Sequence, residues 1–230
     1  MSVRTFYLGL LAAFGLPWVF LVAVPYGEMT ASDVTMVDES IGQTYPQTKA
    51  GFIEYGNRIY ASEGCFQCHS QMVRTTDVSV DPYRYESELG SPVRESRPED
   101  YLGEDYAFLG VQRIGPDLAN IGITKPRDIK KATGVDTVDP ADVRQWHMEH
   151  LFDPRLINEW SNMPSYQHLF EKRRIQGQKS DSALNINVGE GYEVVPTERA
   201  EALVTYLMSL KKNDPTGPPK AEEPAEDDEA

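Results

Sequence analysis

From Phe6 to Tyr26 the chain reads FYLGLLAAFGLPWVFLVAVPY, 21 residues without a charge. As an α-helix at about 1.5 Å per residue, this run spans roughly 30 Å, the thickness of a bilayer's hydrocarbon core. A cleaved signal peptide is the alternative, but its apolar region is only about 7 to 15 residues long and ends in a small-x-small site. This run ends in Pro25-Tyr26 and carries Phe6, Tyr7 and Tyr26 at its ends, as interfacial belts do. The pattern predicts one transmembrane helix within residues 1–28. Pro17 would kink that helix if it stood alone; a membrane partner or a local rearrangement must satisfy the freed carbonyl.

Residues 29–48 are polar, punctuated by Gly42 and Pro46, and read as a linker to a domain spanning 49–213. In Ala50 to Ser62 the apolar positions Phe52, Ile53, Ile59 and Tyr60 recur at helical spacing. Gly56 lies on the Phe52 and Tyr60 side, which suggests that another backbone passes close by. A matching helix closes the domain: Thr197 is placed to cap it, acids follow in the first turn, and Leu203, Val204, Leu207 and Leu210 form its stripe. Lys211 and Lys212 would complement its last turn, and Asn213 with Pro215 would end it. Asp142 can cap a further helix from Val143 to Phe152, which Asp153-Pro154 terminates. The rest, notably Thr75 to Asp105 and Gln167 to Pro196, reads as long irregular insertions, and loops of that length usually carry function or bind something.

Charge sharpens the picture at both ends. The net charge is −14 over 230 residues, which argues against a nucleic-acid partner. Part of it sits in residues 214–230, where seven acids face one base and no large apolar residue occurs. Such a segment cannot bury enough surface to offset chain entropy and is expected to be a disordered acidic tail. Arg4 precedes the apolar run and no Lys or Arg follows it until Lys49. The positive-inside rule then places the N-terminus in the cytoplasm and the domain on the other side.

The two cysteines of the chain fall in Cys65-Phe66-Gln67-Cys68-His69. C-x-x-C-H is the attachment pattern of a c-type haem: two thiols at this spacing can add to two vinyl groups, and the histidine becomes the proximal iron ligand. A thiol-disulfide pair is the rival, favoured near a βαβ pattern, of which there is none here. Half of a zinc site would have to recruit distant histidines.

A second axial ligand must come from elsewhere. Met29 and Met36 fall in the linker, Met72 follows His69 too closely, and Met208 lies on the last helix. Met148 sits between Trp146 and His150 and could be a core residue. Met163, in Asn162-Met163-Pro164-Ser165, is the preferred candidate, because the proline restricts the backbone of an irregular segment. Packing is the other reading of any methionine, and His147, His150 and His168 remain alternative ligands or hydrogen-bonded polar residues. In Gly115-Pro116-Asp117-Leu118 a backbone carbonyl could accept from the free ring nitrogen of His69.

These pieces, in this order, resemble a class I cytochrome c over Ala50 to Lys212. The resemblance implies that Pro116 gives its carbonyl to His69, that Met163 is the distal ligand, and that the terminal helices cross near Gly56 and Tyr206. Three blocks are more specific: CFQCHSQMVR (Cys65 to Arg74), WHMEHLFDPR (Trp146 to Arg155) and MPSY (Met163 to Tyr166). With the anchor they resemble the mono-haem subunit II of cbb3-type cytochrome c oxidases. That family implies a mainly α, cytochrome c-like domain with one covalent haem c, no catalytic residues of its own, and single-electron transfer to a haem-copper catalytic subunit. It further implies a second cytochrome c subunit, a soluble or membrane cytochrome donor, and a bacterial cytoplasmic membrane with the haem domain on the periplasmic side. The cytochrome subunit of a nitric oxide reductase shares the anchor and mono-haem domain, but the Trp146 to Arg155 block argues against it. A haem sensor or peroxidase would differ in an open sixth position.

Overall fold

A computed structural model describes residues 2–31, 36–38, 43–46, 49, 51–85, 92–122 and 140–212. The acidic segment 214–230 and most of the linker lie outside these residues, as do 86–91 of the first insertion. The chain divides into two units, residues 1–47 with 218–230, and residues 48–217.

The first unit holds helix α1, Val3–Glu28, long and apolar enough to cross a membrane. Its apolar side chains are exposed, as those of a lipid-facing helix would be. The helix continues through Pro17 and Pro25 by widening into π turns at Leu11–Gly15 and Val19–Ala23. These stretches contain Ala13 and Leu21, whose carbonyls a proline four residues later would otherwise crowd. Local rearrangement therefore accommodates Pro17. A short antiparallel pair, β1 (Met36–Asp38) and β2 (Gln43–Tyr45), follows in the segment read as linker.

The second unit is mainly α, with helices α2 (Phe52–Ser62), α3 (Pro140–Phe152) and α4 (Glu198–Ser209). Helices α2 and α4 cross at Gly56, where an added Cβ would overlap the Ala202 carbonyl and the Tyr206 Cβ. Closeness here lets Tyr60 and Tyr206, both fully buried, bring their rings to 5.5 Å. Tyr60 also meets Phe108 at 5.3 Å, and Phe108 stacks on Phe66 at 5.7 Å, so the crossing is welded to the haem motif.

Three expectations about helix ends need correction. Thr197 occupies the N-cap position of α4, but its hydroxyl donates to the Leu169 carbonyl at 2.7 Å rather than accepting from the helix. Its bond fastens the helix start to the preceding hairpin. Lys212 does not complement the last turn: it is buried, with Nζ 3.2 Å from Glu104 and 3.6 Å above the Tyr101 ring. Burial pushes its pKa down to about 8. Helix α3 begins at Pro140, so Asp142 lies inside its first turn, where a carboxylate favours the helix dipole.

Gln167 to Pro196 is also more regular than its sequence suggests. Strands β3 (Phe170–Arg174) and β4 (Tyr192–Pro196) pair antiparallel, with Phe170 opposite Pro196 and Arg174 opposite Tyr192. Val194 and Val195 enter the core, whereas Glu171 to Arg174 stay exposed.

His147 on α3 is buried and stands 5.1 Å from the Trp146 ring; His150 stacks on the same indole at 4.8 Å. Burial, with a smaller contribution from His150, lowers the His147 pKa to about 4 from 6.5. The unfolded chain therefore takes up this proton first as pH falls, and stability contributed above pH 6.5 is lost progressively toward pH 4. At about 1.4 kcal/mol per unit the loss is on the order of 3 kcal/mol. Denaturation at pH 7 and pH 4.5 should show a steep fall in the native protein and a shallower one in His147→Leu.

Candidate haem site

Helix α2 stops at Ser62, and the chain enters a single 3-10 turn at Cys65–Gln67. The Cys65 carbonyl accepts from Cys68 N at 3.2 Å and from His69 N at 2.9 Å. One turn thus carries both thiols and delivers the histidine directly after them. Cys65 is buried and Cys68 partly so. Burial, followed by the charge of Glu63, pushes the Cys65 thiol up to about 12. Redox-active thiols have lowered pKa values, so this environment speaks against a dithiol catalyst. Among the described residues no group of three His, Cys, Asp or Glu is placed to hold a separate metal ion.

His69 Nδ1 lies 2.7 Å from the Pro116 carbonyl oxygen. A carbonyl can only accept, so Nδ1 carries the proton and Nε2 keeps its lone pair for a metal. Burial lowers the His69 pKa, which favours the neutral, ligating form. Gly115 makes the approach possible, since a Cβ there would overlap the imidazole ring. Gly115→Ala should therefore displace the ring and break the bond to Pro116, read as a lower haem content per chain.

Met163 is partly buried against the same core cluster as Cys65, and Tyr166, three residues on, packs against that cluster as well. Arg155 braces this segment: its guanidinium donates to the Met163 carbonyl at 3.1 Å and to Ser165 Oγ at 2.7 Å. Asp153 accepts from Ser165 at 2.9 Å and pairs with Arg155 at 3.1 Å. Met148, by contrast, is buried in the core, and His168 pairs with Glu63 at 2.8 Å. The His69 nitrogen and the Cys65 and Cys68 thiols are donors of the kind a haem site uses, and the cradle at Gly115 and Pro116 fits a ligating imidazole.

The family model described as cytochrome c oxidase, mono-heme subunit/FixO, matches residues 18–214. The chain belongs to that family. It is therefore a haem-bearing subunit of a cytochrome c oxidase complex. No curated protein matches the chain.

The extension after His69 has a structural account. Ser70 bonds Asp117, Gln71 is fully buried with Nε2 2.9 Å from the Tyr206 hydroxyl, and Val73 packs with Val93 and Ala119. The first insertion lies along this segment: Ser96 N donates to the Val73 carbonyl at 3.0 Å and Tyr101 to the Gln71 carbonyl at 2.8 Å. Sequence reasoning placed Gly115 and Asp117 in a candidate piece of the pocket without giving either a role, and it missed Arg113 and Arg155. Arg155 closes the WHMEHLFDPR block, so its place in that motif was its only signal, and Arg113 lies outside every motif singled out.

Proposed function

We propose that this chain is the electron-relay subunit of a cbb3-type oxidase. Cys65 and Cys68 would hold one haem c through thioethers, and His69 and Met163 would ligate its iron. The observation that carries this reading is the His69 Nδ1–H bond to Pro116, because it presents Nε2 beside two thiols in a single turn. When bound, the haem supplies reversible one-electron chemistry. The protein's own residues do the rest: Pro116 fixes the tautomer and orientation of His69, Arg155 and Asp153 hold the Met163 segment, and the Tyr60, Tyr206 and Phe108 rings close the interior to water.

Electrons arrive from a soluble or membrane cytochrome, or from the second cytochrome c subunit, and leave to the haem b of the haem-copper catalytic subunit, where oxygen is reduced. Helix α1 anchors the chain in a bacterial cytoplasmic membrane with residues 49–213 on the periplasmic side. Purification in mild detergent tests this. A complex that contains copper and consumes oxygen supports the reading; one with non-haem iron and nitric oxide turnover overturns it.

A further inference from the structure

The side chain of Asp117 is only 1% exposed, yet it gathers donors from two separate stretches of chain. One carboxylate oxygen accepts from Ser70 Oγ at 2.7 Å and from the Met72 amide at 2.8 Å, and the other accepts from the Ala119 amide at 2.9 Å. Arg113 completes the cluster. Its Nε donates to Ser70 Oγ at 2.7 Å, one terminal nitrogen donates to the Met72 carbonyl at 2.6 Å and stands 3.6 Å from Asp117, and the other pairs with Asp81.

Position gives the cluster its meaning. Ser70 follows His69, and Asp117 follows Pro116, so the clamp grips the next residue of both partners in the His69–Pro116 bond. Backbone bonds from Gly115 N to the Cys68 carbonyl, 3.0 Å, and from Leu118 N to the Ser70 carbonyl, 2.8 Å, lie on either side. We infer that Asp117, oriented by Arg113 and Ser70, is a positioning residue that holds the His69–Pro116 hydrogen bond and thereby sets the donor strength of the proximal imidazole. This rests on the haem reading above.

Two effects have the same sign. A well-held bond from Nδ1–H to a carbonyl raises the basicity of the imidazole and favours oxidised iron. A buried carboxylate favours the more positive, oxidised state as well. Removing the charge and loosening the bond both push the reduction potential up. A residue that only stabilised the fold would leave the potential of the folded protein where it was.

The test is a potentiometric titration of the detergent-purified complex carrying Asp117→Asn, which keeps the side chain's size, or Ser70→Ala, which keeps the charge and removes the two bonds made by Ser70 Oγ. Both variants should titrate at higher potential than the native protein, Asp117→Asn by more. If Asp117→Asn does not accumulate, Ser70→Ala carries the test alone. A haem-loaded variant with an unchanged or lowered potential and only a lower denaturation midpoint overturns the inference. Native protein lacking covalent haem would instead overturn the haem reading, and this inference with it.

Discussion

Met163→Ala is expected to leave the haem attached while removing the iron's sixth ligand. The visible spectrum should change from low-spin to high-spin, the reduction potential should fall, and the reduced protein should bind carbon monoxide. Direction follows from the ligand: a thioether opposite histidine raises the potential, and losing it reverses that. Arg155→Ala gives a graded version, because it keeps the thioether and removes the donors to the Met163 carbonyl and Ser165. Its potential should lie between the other two. A native spectrum in Met163→Ala would reassign the distal ligand.

Gly56→Ala sets two known effects against each other. Alanine is favoured over glycine inside a helix by about 1 kcal/mol. At the α2–α4 crossing, however, the new methyl meets the Ala202 carbonyl and the Tyr206 Cβ, which no rotamer change can move aside. Overpacking of this kind costs about 1 to 3 kcal/mol, more when backbone must shift. The overlap should win, with a net loss of about 2 kcal/mol and a Tm lower by roughly 4 to 8 °C. A raised Tm would mean that the helices are not in contact at Gly56.

What could be read from the sequence was what rests on local periodicity or fixed spacing. The apolar run of α1, the stripes of α2 and α4 and the Cys65 to His69 turn all follow from residues close in sequence, and Gly56 betrayed the crossing because a glycine on an apolar face has few other uses. Strand β3 was invisible for an equally physical reason. Its Glu171-Lys172-Arg173-Arg174 face solvent on an exposed edge, so there is no alternation to detect. Lys212 looked like a helix-end charge because its burial depends on Glu104 and Tyr101, more than a hundred residues away. The Asp117 clamp and the Arg155 brace are likewise products of contacts between distant segments. Ser70, Asp117 and Arg155 stood inside legible motifs and Arg113 did not, but nothing local said which partner each would take.

Covalent attachment through Cys65 and Cys68 is the claim from which the rest follows. Intact-mass spectrometry of the denatured chain tests it most directly. The account predicts the mass of the polypeptide plus one haem, reverting to the bare polypeptide in a Cys65→Ala, Cys68→Ala double variant. A native chain that releases its haem on denaturation, or carries a Cys65–Cys68 disulfide in place of the thioethers, would contradict it.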